Sequence, residues 1–209
     1  MPAPAAPAPR PSTRETAIAL RGVSIGYGKP IIEGIDLDIL KGEILFIGGG
    51  SGCGKTTLLS CLTTLRKPLA GSITIDGIDI VTADDDAVRA VRRRFGVMYQ
   101  LGALFGGKTL LENVRLPLEE FTDLPVDVMD DIARAKLGLV GLGAHALKQP
   151  SEISGGMQKR AAIARALALD PPIVFLDEPS AGLDPVTSAD LDDLIEALNR
   201  MLGDRKSVV

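Results

Sequence analysis

Aromatic residues are scarce in this chain of 209 residues: they make up 3%, and tryptophan is absent. Proteins that hold single-stranded nucleic acid stack bases on aromatic rings, so the scarcity argues against that class. Excess positive charge is also missing. The net charge of −4 leaves no basic footprint for nucleic acid in the total. Two cysteines, Cys53 and Cys61, are too few for a disulfide framework, suggest no metal site and fit a reducing compartment. The single histidine, His145, reads as an ordinary surface or helix-end residue. No apolar run approaches the length of a membrane span. Residues 1–11, rich in proline and alanine, lack the uninterrupted apolar stretch of a signal peptide. Residues 1–14 are expected to form a disordered or polyproline tail. The remaining length suffices for one core, alone or with a subdomain.

What is present is sharper. Gly49-Gly50-Ser51-Gly52-Cys53-Gly54-Lys55-Thr56-Thr57 lies between an apolar run, Ile44–Ile47, expected as a buried strand, and Leu58–Leu62, expected as a helix. Strand, glycine-rich loop, Lys-Thr and helix make the setting of a phosphate-binding P-loop. The glycines let backbone N–H groups crowd around phosphate oxygens, and the helix N-terminus adds partial positive charge. Lys55 can reach β- and γ-phosphates, and the Thr56 hydroxyl can bind Mg²⁺.

The rest of the chain alternates strand and helix signals. Ala17–Leu20 and Val23–Ile25 read as strand, and Ile35, Leu37 and Ile39 alternate with Asp36 and Asp38 on a one-sided strand. Gly26–Pro30 is the turn between them. Gly71–Gly77 is a short strand ending in a turn. Asp84–Asp86 open a helix that closes on Arg92–Arg94, an order suited to the helix dipole. Gly96–Tyr99 is a strand ending at Gln100. Beyond it the pattern is helical, with Val128, Ile132, Ala135 and Leu139 expected to form one apolar face over 127–139. Ile173–Leu176 reads as a central parallel strand.

That strand delivers Asp177 and Glu178 at its C-terminal end, where open α/β sheets place ligands. Asp177 is a candidate for Mg²⁺, and Glu178 for the general base that polarises an attacking water. Ser154-Gly155-Gly156-Met157-Gln158 opens a helix through Ala161, Ala164 and Leu167. Ser154 is the expected N-cap, and the glycines expose a second set of N–H groups to an anion.

In this order, the P-loop, Gln100, Ser154–Gln158, Asp177-Glu178 and Gly182-Leu183-Asp184 resemble the ATP-binding cassette (ABC) ATPases over about residues 16–202. The resemblance implies an α/β fold: a RecA-like P-loop core with an antiparallel β subdomain and a helical subdomain. The implied division is 15–100 and 165–209 for the core, and 101–164 for the helical part. It implies that Tyr27 stacks on adenine, that Gln100 senses Mg²⁺ and the γ-phosphate, and that Ser154, Gly155, Gly156 and Gln158 form the signature motif. It further implies Glu178 as the catalytic glutamate, with Gln100 and Lys55 beside it, and Asp184 at a dimer interface. ATP is the implied ligand, held from Gly49 to Thr57, with Mg²⁺ at Thr56, Gln100 and Asp177. The implied partners are a second copy, paired head to tail so that each ATP lies between one P-loop and the other signature helix, and a membrane permease.

The segment Tyr99–Phe105, followed by Thr109–Val114, and the run Met157 to Arg160 resemble the ATPases of bacterial phospholipid transporters that work with Mce-domain proteins. That implies a place at the cytoplasmic face of the inner membrane, held through the permease. The family's switch histidine follows the D-loop by one helix and one strand. His145 lies ahead of Ser154 and does not match it, so the chain is expected to be truncated at its C-terminus. Hydrolysis by the truncated chain is then expected to be poor. Asp204–Val209 are the residues a common sequencing adapter encodes, and native sequence is expected to end near Gly203. Val208-Val209 suit the start of the missing strand.

Overall fold

Alternating apolar residues from Ala17 to Ile25 give the first strand, β1 (Thr16–Tyr27), which folds back at Gly28 into β2 (Lys29–Leu40). The computed structural model describes residues 15–50, 52–100, 102–201 and the backbone of 207–208. The expectations for the tail 1–14, for Ser51 and Leu101 and for the end segment other than Ser207–Val208 lie outside the described residues. β1 is central in an antiparallel sheet of order β2-β1-β3-β4, with β3 spanning Ala70–Ile75 and β4 Ile78–Asp79. Ile18 stands opposite Ile39 and Ile75, and Leu20 opposite Leu37 and Ile73, so apolar rows cross three strands on one face. The register shifts after Leu20, where the Asp36 carboxylate accepts from the Gly22 N–H at 2.8 Å.

This face closes over α1 (Lys55–Leu62), with Leu58, Leu59, Cys61 and Leu62 buried against it. Helix α2 (Asp85–Arg92) adds Val91, and its N-cap Asp84 accepts from the Ala87 N–H. A parallel sheet of order β5-β6-β7 lies beyond, built from Phe95–Met98, Ile173–Leu176 and Ser207–Val208. The side chains of β6 divide between two cores. Ile173 and Phe175 join the core under the antiparallel sheet, where Phe175 meets Phe95 edge to face. Val174 joins the core of the helical layer.

That layer consists of α3 (Leu110–Phe121), α4 (Val126–Leu139), α5 (Gly155–Ala166) and α6 (Pro185–Met201). α3 starts in a reciprocal cap between Thr109 and Glu112. β5 lies hard against the end of α5: a Cβ on Gly96 would stand 1.8 Å from the Ala166 carbonyl oxygen, so only glycine fits there.

Two expectations need correction. Ile44–Ile47 is not a strand; only Ile44 makes a bridge, and Phe46 is 89% exposed. Leu45 and Ile47 still pack inward, so the apolar run reports one buried side rather than burial on both. The parallel sheet ends, among the described residues, at the two-residue β7, and no backbone ladder there holds Leu45–Gly50. In α4 the buried face is Met129, Ala133, Lys136 and Leu137; of the expected residues Ile132 and Leu139 pack beside it, whereas Val128 and Ala135 are exposed. The true face carries a lysine. Lys136 buries its stem and pairs its head with Asp170 at 2.6 Å, which disguises an apolar face as a polar one.

Candidate nucleotide site

Helix α1 begins differently from α2, α3 and α5. Asp84, Thr109 and Ser154 cap α2, α3 and α5 with side-chain oxygens, but α1 has no side-chain cap and no acid in its first turn. Its N-cap, Gly54, sits at φ 105°, a left-handed conformation that glycine adopts without a Cβ penalty. Cβ atoms added at Gly50 or Gly52 would meet nothing within 4 Å, so the loop is open where a phosphate would lie. Gly49 packs on Cys53: a Cβ there would meet the Cys53 Sγ at 2.6 Å. Uncapped N–H groups, positive dipole and open glycines together form an anion cradle.

Lys55 lies across this cradle. Its ammonium donates to the carbonyls of Gly49 at 2.8 Å and Gly50 at 3.2 Å, and stands 3.5 Å from a Glu178 carboxylate oxygen. The other Glu178 oxygen accepts from Gln100 Nε2 at 2.7 Å. Three residues far apart in sequence thus converge at the C-terminal ends of β5 and β6. The two strands are in register, with Met98 opposite Leu176 and the Asp177 N–H donating to the Met98 carbonyl at 2.9 Å. Asp177 is half-buried; burial, and then the Glu178 charge, push its carboxyl above the ordinary carboxylate value, while Lys55 opposes them. Glu178 itself has φ 47°, an uncommon left-handed conformation for a residue with a side chain.

Mg²⁺ is tested by this chemistry. A hydroxyl (Thr56), an amide oxygen (Gln100) and one carboxylate (Asp177) are all hard oxygen donors. One carboxylate with neutral oxygens suits an ion that keeps waters and shares phosphate oxygens. Among the described residues no cluster of three or more His, Cys, Asp or Glu side chains offers an all-protein cage. The donor set therefore fits Mg²⁺ arriving with a nucleotide. Thr56 is exposed at the start of α1, and Thr57 is buried beneath it.

The other expected residues divide. Tyr27 is exposed, and the Arg66 guanidinium lies 4.1 Å from its ring centre, a cation–π contact on one face. Ser154 caps α5 through the Met157 N–H, and Ser154 and Gly155 are exposed. No hydrogen bond or ion pair among the described residues joins Ser154–Gly156 to the P-loop. Gln158 is turned inward, its Nε2 donating to the Pro150 carbonyl at 2.9 Å. Asp184 caps α6, accepting from the Val186 and Thr187 N–H groups and from the Thr187 hydroxyl at 2.6 Å. His145 ends a short 3₁₀ turn in the helical layer, within the same chain segment as Leu142 and Ala146.

Two basic residues of α5 have tasks that the sequence reading did not assign. Arg165 donates to the carbonyls of Gly102 and Ala103, both at 2.7 Å, holding the loop that follows Gln100. Lys159 donates to carbonyls of the turn that follows Glu178. Asn113 was also missed. It is fully buried and gathers the Phe105, Lys108 and Thr109 carbonyls and the Phe105 N–H. The available signal was a polar residue on each otherwise apolar helix face.

An α/β fold with an uncapped glycine-rich helix start, a lysine over it and two carboxylates at the end of a parallel strand defines a P-loop nucleotide-binding protein. The family model described as ABC transporter matches residues 32–181. The chain belongs to the ABC transporter family. It is 46% identical over 187 residues to a probable ribonucleotide transport ATP-binding protein, mkl, of Mycobacterium leprae, covering 89% of this chain and 54% of that one. It is 41% identical over 187 residues to the intermembrane phospholipid transport system ATP-binding protein MlaF of Escherichia coli, covering 89% of this chain and 70% of that one. The chain thus spans about half the length of the mycobacterial relative. Among solved structures, a dimeric post-hydrolysis state of the ATP-binding cassette MJ0796 bound to ADP and Pi superposes with a TM-score of 0.81. The two are 34% identical, and the match covers 92% of this chain and 86% of that one.

Proposed function

We propose that this chain is the ATP-binding and ATP-hydrolysing subunit of a membrane transporter. The observation that carries the reading is the convergence of Lys55, Gln100 and Glu178 at the mouth of an uncapped P-loop. Lys55 and the first N–H groups of α1 bind the phosphates. Glu178 takes the proton of the attacking water, and Gln100 orients the Glu178 carboxylate. Asp177, Thr56 and Gln100 would hold Mg²⁺, which would supply neutralising charge for the phosphates. Tyr27 supports the adenine.

The exposed Ser154 and Gly155, unconnected to their own P-loop, favour a cradle completed in trans. Two copies pair head to tail, and the N-terminus of α5 in one closes over the γ-phosphate bound by the other, excluding water. The dimeric cassettes that resemble this chain support the pairing. No helix among the described residues is long and apolar enough to cross a membrane. By its resemblance to transporter ATP-binding proteins, the subunit docks on a permease at the cytoplasmic face, and an Mce-type lipid-binding protein joins the same assembly. The cargo is a phospholipid, a reading favoured by the resemblance to MlaF; a ribonucleotide cargo is the competing reading from mkl.

The test is ATP binding and turnover by the chain and its Glu178→Gln variant. The variant is expected to bind ATP as the parent does, hydrolyse about a hundredfold more slowly and accumulate as a dimer by light scattering. Hydrolysis at the parent rate removes Glu178 as the base. Tight ATP binding with little turnover in the parent itself favours a binding module that hydrolyses poorly. Stimulation of the permease complex by phospholipid, and not by ribonucleotides, decides the cargo.

A further inference from the structure

Lys159 lies on α5, a helix whose remaining buried residues are small or apolar: Gly156, Ala161, Ala162, Ile163, Ala164 and Ala166. Only 7% of its surface is exposed, a costly place for an ammonium unless its protons are used. They are used on one turn of backbone. The chain leaves β6 at Leu176, passes Asp177 and Glu178, and closes a turn in which the Ala181 N–H donates to the Glu178 carbonyl at 3.1 Å. Lys159 Nζ donates to the carbonyl of Ala181 and lies 3.5 Å from that of Glu178. Both ends of the turn are thereby held by one cation. Burial lowers the ammonium below the ordinary lysine value, and the Glu178 charge opposes that shift.

The turn needs holding. Glu178 has a left-handed φ of 47°, which a non-glycine residue keeps only when its surroundings fix it. That same residue points its carboxylate between Gln100 and Lys55. A rotation about its φ would swing both oxygens away from these partners.

We infer that Lys159 is a positioning residue: from the signature helix it clamps the Glu178–Ala181 turn and so sets the direction of the Glu178 carboxylate. The inference rests on the reading of Glu178 as the base. It also supplies a physical connection between the two halves of the trans site. α5 carries Ser154 and Gly155 at its exposed N-terminus and Lys159 about one turn further along.

The experiment uses the full 209-residue chain with Lys159→Met, Lys159→Arg and Glu178→Gln. Lys159→Met keeps the stem and removes the donors; it is expected to lower kcat for ATP about ten- to a hundredfold with KM changed less than about twofold. Lys159→Arg, which can still donate to both carbonyls, is expected to recover most of the loss. Hydrogen exchange read at the Ala181 amide reports the clamp without any turnover. It is expected to accelerate in Lys159→Met and to stay near the parent in Lys159→Arg, with α5 protected in all three. Unchanged Ala181 exchange in folded Lys159→Met overturns the inference, as does an unchanged kcat beside an inactive Glu178→Gln. Parent-like turnover in Glu178→Gln overturns instead the reading of the base. If Lys159→Met does not fold, Lys159→Gln serves in its place, with one neutral donor and the same expected acceleration.

Discussion

Gln100 and Glu178, the residues that follow two neighbouring parallel strands, are joined by a 2.7 Å hydrogen bond from the amide to the carboxylate. Because β5 and β6 are in register, the contact follows from the sheet. It fixes one carboxylate oxygen and leaves the other facing Lys55.

Gln100→Ala is therefore expected to lower kcat for ATP about tenfold or more while nucleotide affinity changes less than about threefold. The carboxylate loses its orienting donor, but the P-loop keeps its N–H groups and Lys55. Steady-state kinetics beside a fluorescent-nucleotide titration separates the two. Affinity falling in parallel with kcat makes Gln100 a binding residue instead.

Lys55→Ala acts on the other side of the same carboxylate. It removes the cation lying over Gly49 and Gly50. A charged hydrogen bond to phosphate is worth about 1.5–3 kcal/mol, so ATP affinity is expected to fall roughly ten- to a hundredfold. Calorimetric titration checks this, and unchanged affinity refutes the phosphate cradle.

These contacts show what a sequence discloses. Glycine, Lys-Thr and carboxylate positions were legible because each chemistry demands a residue type at a fixed offset along the chain. Lys159 and Asn113 were not, because their partners are backbone carbonyls, which carry no residue identity. The face of α4 was misread because Lys136 lies on it, and periodicity counts lysine as polar even when its stem is buried. Ile44–Ile47 was misread because an apolar run signals burial, whereas a strand needs a neighbour to bond.

Asn113→Ala is expected to destabilise the fold by about 1–3 kcal/mol, because the Phe105 N–H and the Lys108 carbonyl lose their side-chain partner, while the Phe105 and Thr109 carbonyls keep backbone donors. Asn113→Asp is expected to be at least as severe, since it places a charge among those oxygens. Urea unfolding reads both. A loss below about 1 kcal/mol shows that water replaces the side chain.

Asp184 gives a pH dependence. The Thr187 hydroxyl, and then the Thr187 N–H, hold its carboxyl below the ordinary value of 3.8. A carboxylate with a lowered pKa contributes stability that is fully present above the unfolded value and lost as pH falls through the folded one. Asp184→Asn keeps an acceptor oxygen but not the charge. The gap in Tm between parent and variant is expected to be fully open well above the ordinary value of 3.8 and to close as pH falls below it. A gap that stays constant assigns the effect to packing.

Gly155 and Gly156 are adjacent at the start of α5, yet the structure gives them different surroundings. A Cβ on Gly155 meets nothing within 4 Å, whereas one on Gly156 would stand 2.6 Å from Thr187 Cγ2. Thr187 is tied to Asp184 through its hydroxyl and cannot turn its methyl aside without breaking that bond. Gly156→Ala is therefore expected to cost about 1–3 kcal/mol, partly offset by better helix propensity. Adding Thr187→Ser removes the methyl, keeps the hydroxyl and is expected to restore most of the loss. Gly155→Ala is expected to leave the fold intact while weakening ATP-dependent dimerisation. A denaturation series on the three variants, with light scattering in ATP, separates packing from pairing. If Thr187→Ser fails to rescue Gly156→Ala, the two helix starts are not in contact as described. If Gly155→Ala dimerises normally, the exposed end of α5 is not the surface that meets the partner's nucleotide.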